Sequence, residues 1–213
     1  NKAYCDASTF LNLLSLIQYM RQLSTLQASE VIREARGGDR AAFDELVYRY
    51  DKHVLSIAAR YVNQAADAKE IYQEVFLRVY KALPKFEERS EFTTWLYRIT
   101  TNVCITYGTR RTRRAHRMHA RDQADGDSDR HAELGVSDHE TDRQTLNKEI
   151  SIRVESAMGV LSPKQRMVFT LKHYEGYKLK EIAAMLACSE GTVKKHLFTA
   201  IHRMREQLRD LYE

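Results

Sequence analysis

Residues 177–208, YKLKEIAAMLACSEGTVKKHLFTAIHRMREQL, bring hydroxyls, a carboxylate, ammonium groups and an imidazole to one end of a helix. Leu179, Ile182, Ala183 and Leu186 keep helical spacing on one face. Ala187-Cys188-Ser189 breaks the pattern, with Cys188 read as a small packed residue of the turn. Val193, Leu197, Ala200, Ile201, Met204 and Leu208 restart it on a second helix. The outward positions at the start of that helix are Ser189, Glu190, Thr192, Lys194, Lys195 and His196. A helix built this way can enter a DNA major groove with its N-terminal residues at base edges.

A second group of polar and aromatic residues lies upstream. Phe86, Arg89, Ser90 and Phe92 offer stacking rings, a cation and a hydroxyl within one short loop. Proteins hold unpaired bases by stacking and by pockets that read a base edge. Asn102 adds an amide, which can donate and accept at once. Residues 105–121 then carry six Arg and no acid, and residues 122–142 carry eight acids and one Arg. Arg98, Arg110, Arg111, Arg113, Arg114 and Arg117 suit phosphates and would release counterions on binding. The acidic block that follows repels duplex DNA and reads as a solvated linker.

These groups need helices to hold them. The 213 residues contain 8 Gly and 2 Pro and few alternating runs, so the chain reads as all-α. A short helix is expected at 29–36, stopped by Gly37-Gly38, with Asp39 as the next cap. Phe43 to Tyr61 carries a long apolar face, and Ala68 to Leu83 another, ended by Pro84. Phe92, Trp95, Leu96, Ile99 and Val103 define a fourth helix, with Trp95 facing the core. Helical spacing resumes from Leu146. Ser162-Pro163-Lys164-Gln165 is a helix start with a capping box. The expected organisation is an N-terminal amphipathic extension (1–28), a helical domain (29–114), a flexible linker (115–143) and a second helical domain (144–213). Within the extension, Phe10 to Leu26 is greasy but interrupted by Asn12, Ser15, Gln18, Arg21 and Gln22. It reads as an amphipathic helix rather than a membrane span, packed on its own domain or docking a partner.

Other chemistry is disfavoured. Cys5, Cys104 and Cys188 are odd in number, show no CxxC spacing and point to a reducing, cytoplasmic setting. The eight His form no metal-ligand pattern with them. No nucleophile–base pair, Gly-rich phosphate loop or catalytic carboxylate pair stands out, so neither catalysis nor a cofactor is expected.

Two segments carry a resemblance. DAKEIYQEVFLRVYKAL (67–83) with EFTTWLYRITTNVC (91–104) resembles region 2 of bacterial sigma factors. LSPKQRMVFTLKHYEGYKLKEIAAMLACSEGTVKKHLFTAIHRMRE resembles region 4. The spacing is similar to that of the extracytoplasmic-function (ECF) group of the sigma-70 family. The resemblance implies a factor that binds core RNA polymerase through its β′ clamp and β subunits, recognises −35 and −10 promoter elements and helps melt the latter. It implies polymerase contacts at Glu70, Gln73, Glu74, Leu77, Arg78 and Lys81. It implies −10 contacts at Phe86, Arg89, Ser90, Phe92, Arg98, Asn102 and the Arg tract, and −35 contacts at Ser189, Glu190, Thr192, Lys194, Lys195, His196 and Thr199. Many relatives carry Arg where this chain has His196 and Thr199, and Ser where it has Lys178. The lost guanidinium forks imply a weaker −35 anchor. An anti-sigma factor, or another partner at the N-terminal extension, is compatible with the resemblance. The competing reading is a helix-turn-helix regulator that binds duplex DNA without polymerase.

Overall fold

The computed structural model describes residues 19, 22–62, 64–125 and 142–209. Side chains at 116, 118–125 and 142–148 lie outside that description. Among the described residues there is no strand. The helices are α1 (Ala28–Arg36), α2 (Arg40–Val62), α3 (Ala65–Ala82), α4 (Phe92–Asp125), α5 (Asp142–Gly159), α6 (Pro163–Phe169), α7 (Leu179–Met185) and α8 (Glu190–Gln207).

Local chemistry explains the boundaries. Gly38 takes a φ of 95° after α1, a conformation that costs a glycine little. The Asp39 carboxylate accepts from the Ala42 amide at 2.8 Å and caps α2. Pro84 falls in the 3-10 turn Leu83–Lys85 and ends α3. The box at α6 is formed as expected: Ser162 N donates to Gln165 Oε1 at 3.0 Å, and Gln165 N donates back to Ser162 Oγ. A π-helical turn, Thr170–Tyr174, follows α6.

Helices α1 to α4 form the first module. Val31, Leu46, Ile57, Ile71, Val75, Val79, Leu83 and Leu96 are its buried centre. Helices α5 to α8 form the second, where Ala157, Met158, Leu161, Ala200 and Met204 close a smaller cluster. The two modules are not separate bodies. Tyr97, Val103 and Cys104 of α4 share one core with Met167, Val168, Leu171, Ile182 and Met185. Burial pushes the Cys104 thiol up to about 12, which leaves it a packing group.

Two expected boundaries move. Helix α4 runs on to Asp125 and α5 begins at Asp142, so the ends of the expected linker 115–143 are helical. Polar residues carry no apolar period, yet they propagate a helix already nucleated upstream. Residues 126–141 lie outside the described residues, and with them most of the acidic block. The end of the N-terminal extension belongs to the first module. Leu23 is 1% exposed. Arg49 pairs with Glu45 at 2.7 Å and donates to the carbonyls of Leu23 at 2.8 Å and Leu26 at 3.0 Å. Tyr19 Oη donates to Asp39 at 3.0 Å. Residues 1–18, with most of the greasy run, lie outside the described residues.

Candidate nucleic-acid and polymerase interface

The helix-turn-helix is assembled by backbone chemistry. After α7, Ala187 adopts a φ of 49°, and the Cys188 and Ala187 amides donate to the carbonyls of Ala183 and Ala184. This is a Schellman ending with alanine where glycine is usual. Glu181 accepts from the Lys178 amide at 2.7 Å, so the carboxylate caps a start that has no serine. Ser189 Oγ then accepts from the Thr192 amide at 3.2 Å and starts α8. Val193, Ala200 and Met204 turn inward. Ser189, Glu190, Thr192, Lys194 and Lys195 are exposed along the first turns, with His196 and Thr199 partly exposed beside them. The geometry brings all seven expected −35 residues to one end of one helix. Burial first, then Lys164 and Lys195, lower the His196 imidazole below its usual range.

The expected −10 residues divide. Phe86 and Phe92 are 5% and 6% exposed and are core residues here, contrary to their reading as free stacking rings. They meet edge-to-face at 5.7 Å, and Trp95 packs on both, at 4.8 and 5.6 Å. Burying three rings together gains more than leaving them in water. The rings therefore form the floor of the loop, while Glu87 to Ser90 stand out in solvent. Glu88 takes a φ of 56° and is held by Arg36 at 2.6 Å; Arg89 pairs with Glu87 at 2.6 Å.

Asn102 is exposed on α4. One turn earlier, Arg98 points at the second module and donates to the Ala184 carbonyl at 3.1 Å. Beyond Asn102 the Arg tract is helical. Arg110, Arg113, Arg114 and Arg117 recur at helical spacing along α4 and are exposed, whereas Arg111 pairs with Asp67 at 3.3 Å.

The expected polymerase contacts gather on α3. Glu70, Gln73, Leu77 and Lys81 are exposed, and Glu74 pairs with Arg78 at 2.7 Å. Leu77 is 48% exposed among these charged groups. Beside it a groove between α3 and α4 is lined by Glu74, Leu77, Arg78, Val103, Thr106 and Tyr107. Sequence reasoning missed Thr106 and Tyr107, whose i, i+3 and i+4 relation to Val103 was the available signal. Burial, then the Asp67 carboxylate, pushes Tyr107 up to about 12. Among the described residues no group of His, Cys, Asp and Glu could hold a metal, and no helix is long and apolar enough to cross a membrane.

A helix start rich in exposed polar groups after a tight turn, a cationic helix beside a solvent-standing loop, and a mixed apolar–charged helix face suit a helical DNA-binding protein. The family model "Sigma-70 region 2" matches residues 46–117, and "Sigma-70, region 4" matches residues 151–204. The RNA polymerase sigma-H factor of Pseudomonas aeruginosa is 32% identical over 198 residues, covering 89% of this chain and 97% of that protein. The ECF RNA polymerase sigma-E factor of Escherichia coli K12 is 32% identical over 173 residues, covering 80% and 88%. The solved structure of CnrH in complex with the cytosolic domain of CnrY shares the fold at TM-score 0.55 and 23% identity, covering 84% of this chain and 96% of that one. This chain belongs to the sigma-70 family of RNA polymerase sigma factors, in its ECF group.

Proposed function

We propose that α3 docks on core RNA polymerase while α4 and α8 engage the −10 and −35 elements of a promoter. The observation that supports this best is the mixed face of α3. An exposed Leu77 among Glu70, Gln73 and Lys81, beside a groove, suits a protein partner better than a phosphate backbone. A regulator that only reads duplex DNA has no use for it.

In this reading Arg110, Arg111, Arg113 and Arg114 neutralise phosphates near the melted strand and fix its register. Arg89 and Ser90 contact a displaced base over a floor set by Phe86 and Phe92. Asn102 reads a second base through its amide. Ser189, Glu190, Thr192, Lys194, Lys195, His196 and Thr199 contact the −35 duplex. CnrH is in complex with the cytosolic domain of CnrY, and a protein domain bound in that way is a further proposed partner of this chain.

Run-off transcription with purified core polymerase on a library of genomic fragments tests the proposal. Promoter-dependent transcripts that vanish with Leu77→Asp are expected. Duplex binding by the free protein that Leu77→Asp leaves intact, with no transcript from any fragment, would establish the regulator reading instead.

A further inference from the structure

The loop between α3 and α4 is fixed at its base and tied at its tip. Its base is Phe86 and Phe92, whose buried rings meet at 5.7 Å. Between them Glu87, Glu88 and Glu91 set three carboxylates around one guanidinium, that of Arg89. Glu88 takes a φ of 56°, in the left-handed region that a Cβ disfavours and that glycine or asparagine would fill at less cost. Such strain persists only where the surroundings hold it, and it gathers at functional positions. What holds it here comes from outside the loop. Arg36 Nη1 donates to Glu88 Oε1 at 2.6 Å, across 52 residues of sequence. Arg36 lies in the last turn of α1, whose Val31, Ile32 and Ala35 are buried. That helix packs against the 3-10 turn Leu83–Lys85, from which the loop departs. Anchor and loop therefore rise from one packed base.

We propose that Arg36 is a positioning residue for base selection: by strapping Glu88 to α1 it sets the course of Arg89 and Ser90 without itself meeting DNA. The selection half of this inference rests on the proposed contact of Arg89 and Ser90 with a displaced base; the strap itself does not. Two effects follow from the one contact. The first is conformational. Exposed ion pairs are weak one at a time, and the Arg36 and Glu88 side chains are 36% and 59% exposed. A loop this short, pinned at both ends, has few alternative courses, so a weak tie is enough to choose among them. A loop free to re-pack accepts several bases, whereas a held loop leaves the wrong base with unpaired polar groups. Ordering the loop before the base arrives also removes that cost from binding. The second effect is electrostatic. Glu87 is paired with Arg89, and Glu88 with Arg36. Without Arg36 a bare carboxylate would stand at the tip and repel an incoming phosphate backbone.

The test uses the full chain in two arms. Trypsin cuts after Arg89, and mass spectrometry follows that cut in the free protein. It should come about two- to fivefold faster in Arg36→Ala and in Glu88→Gln, the range expected for losing one exposed pair. Arg36→Lys keeps the charge and should stay close to the wild type, and thermal melts verify folding. The second arm uses holoenzyme reconstituted with core polymerase, on a promoter from the run-off screen with each −10 base varied in turn. Arg36→Ala should lower the transcript ratio of preferred to disfavoured base by about two- to fivefold, and Arg36→Lys should restore it. Adding Glu88→Gln to Arg36→Ala should cost nothing more, because the shared contact is already lost. An unchanged tryptic rate overturns the strap. A faster cut with an unchanged base ratio in Arg36→Ala, where Ser90→Ala alters that ratio, overturns the role of Arg36 in selection. A base ratio that neither Arg36→Ala nor Ser90→Ala moves overturns the reading of the loop as a base contact.

Discussion

Gly108 sits where α4 crosses α2 and α6, and Gly108→Ala tests the packing that joins the modules. A Cβ there would press inside van der Waals contact of the Tyr61 hydroxyl, with Tyr61 Cζ at 3.3 Å and Pro163 Cβ at 3.5 Å. Tyr61 is 1% exposed and its hydroxyl donates to the Pro163 carbonyl at 3.4 Å, so the ring has nowhere to swing. Alanine in mid-helix gains about 0.5–1 kcal/mol over glycine. Overpacking a filled site costs about 1–3 kcal/mol. Such a deep overlap with a ring that cannot move puts the overpacking cost in the upper part of its range, so the net loss is about 1–2 kcal/mol, or about 2–8 °C in Tm for a chain of this size. The assay is calorimetry of four proteins: wild type, Gly108→Ala, Tyr61→Phe and the double variant. Tyr61→Phe removes the crowding atom and loses only a long hydrogen bond, at a cost under about 1 kcal/mol. The double variant should therefore be about 1 kcal/mol more stable than the sum of the single effects, as expected for sites in contact. Simple additivity, or a Gly108→Ala protein as stable as the wild type, refutes the packing argument.

Arg49→Ala should free the segment at 22–26 and speed proteolysis near Ser24, while Leu23→Ala should cost about 2–5 kcal/mol as a buried leucine truncation. His196 has a lowered folded pKa, so its stability contribution is present above 6.5 and is lost as pH falls through the folded value. Phosphate favours the charged imidazole, so −35 duplex binding should strengthen relative to His196→Ala as pH falls from 7.5 to 5.5. Equal pH profiles in fluorescence anisotropy would remove His196 from the contact. Ala187→Gly should raise the melting temperature, because glycine takes a φ of 49° without the roughly 1 kcal/mol cost to alanine. Asn102→Ala should impair promoter opening in a permanganate footprint more than it weakens duplex binding in a gel shift.

Local rules of the chain were legible in its sequence. Ser162-Pro163 and Asp39 announced caps that the structure contains, because a cap depends on a few adjacent residues. The α8 face was legible because Val193, Ala200 and Met204 fix which side is buried, and the rest follows from helical spacing. Phe86 was misjudged because a loop has no period; Phe92 already lay on the apolar stripe of the fourth helix, and its packing with Trp95 and Tyr50 shows that this stripe, rather than the loop, sets its place. The polar stretch after Ala115 was read as linker because composition carries no sign of a helix propagated from a packed start. Contacts such as Ser56 with Glu175, 119 residues apart, leave no pattern in sequence at all.

The helical run of α4 bears on where promoter selectivity resides. The helix is 34 residues long, about 51 Å at 1.5 Å per residue. Arg110, Arg113, Arg114 and Arg117 are thus set at fixed intervals instead of being spread through a flexible tether. A fixed row of guanidinium groups sets register on a backbone and reads no base. In the proposed function, reading would then fall to Asn102 and the Glu87–Ser90 loop before the same helix, which that register would place. On α8 the corresponding anchors are weaker. His196 is biased toward neutrality by burial and by Lys164 and Lys195, and Thr199 spends its hydroxyl on the Lys195 carbonyl at 3.0 Å. Neither offers the two-pronged donor that an arginine gives to guanine or phosphate. Under the proposed assignment of α4 to the −10 element and α8 to the −35 element, a strong register beside a modest anchor would put most of the discrimination on the melted strand.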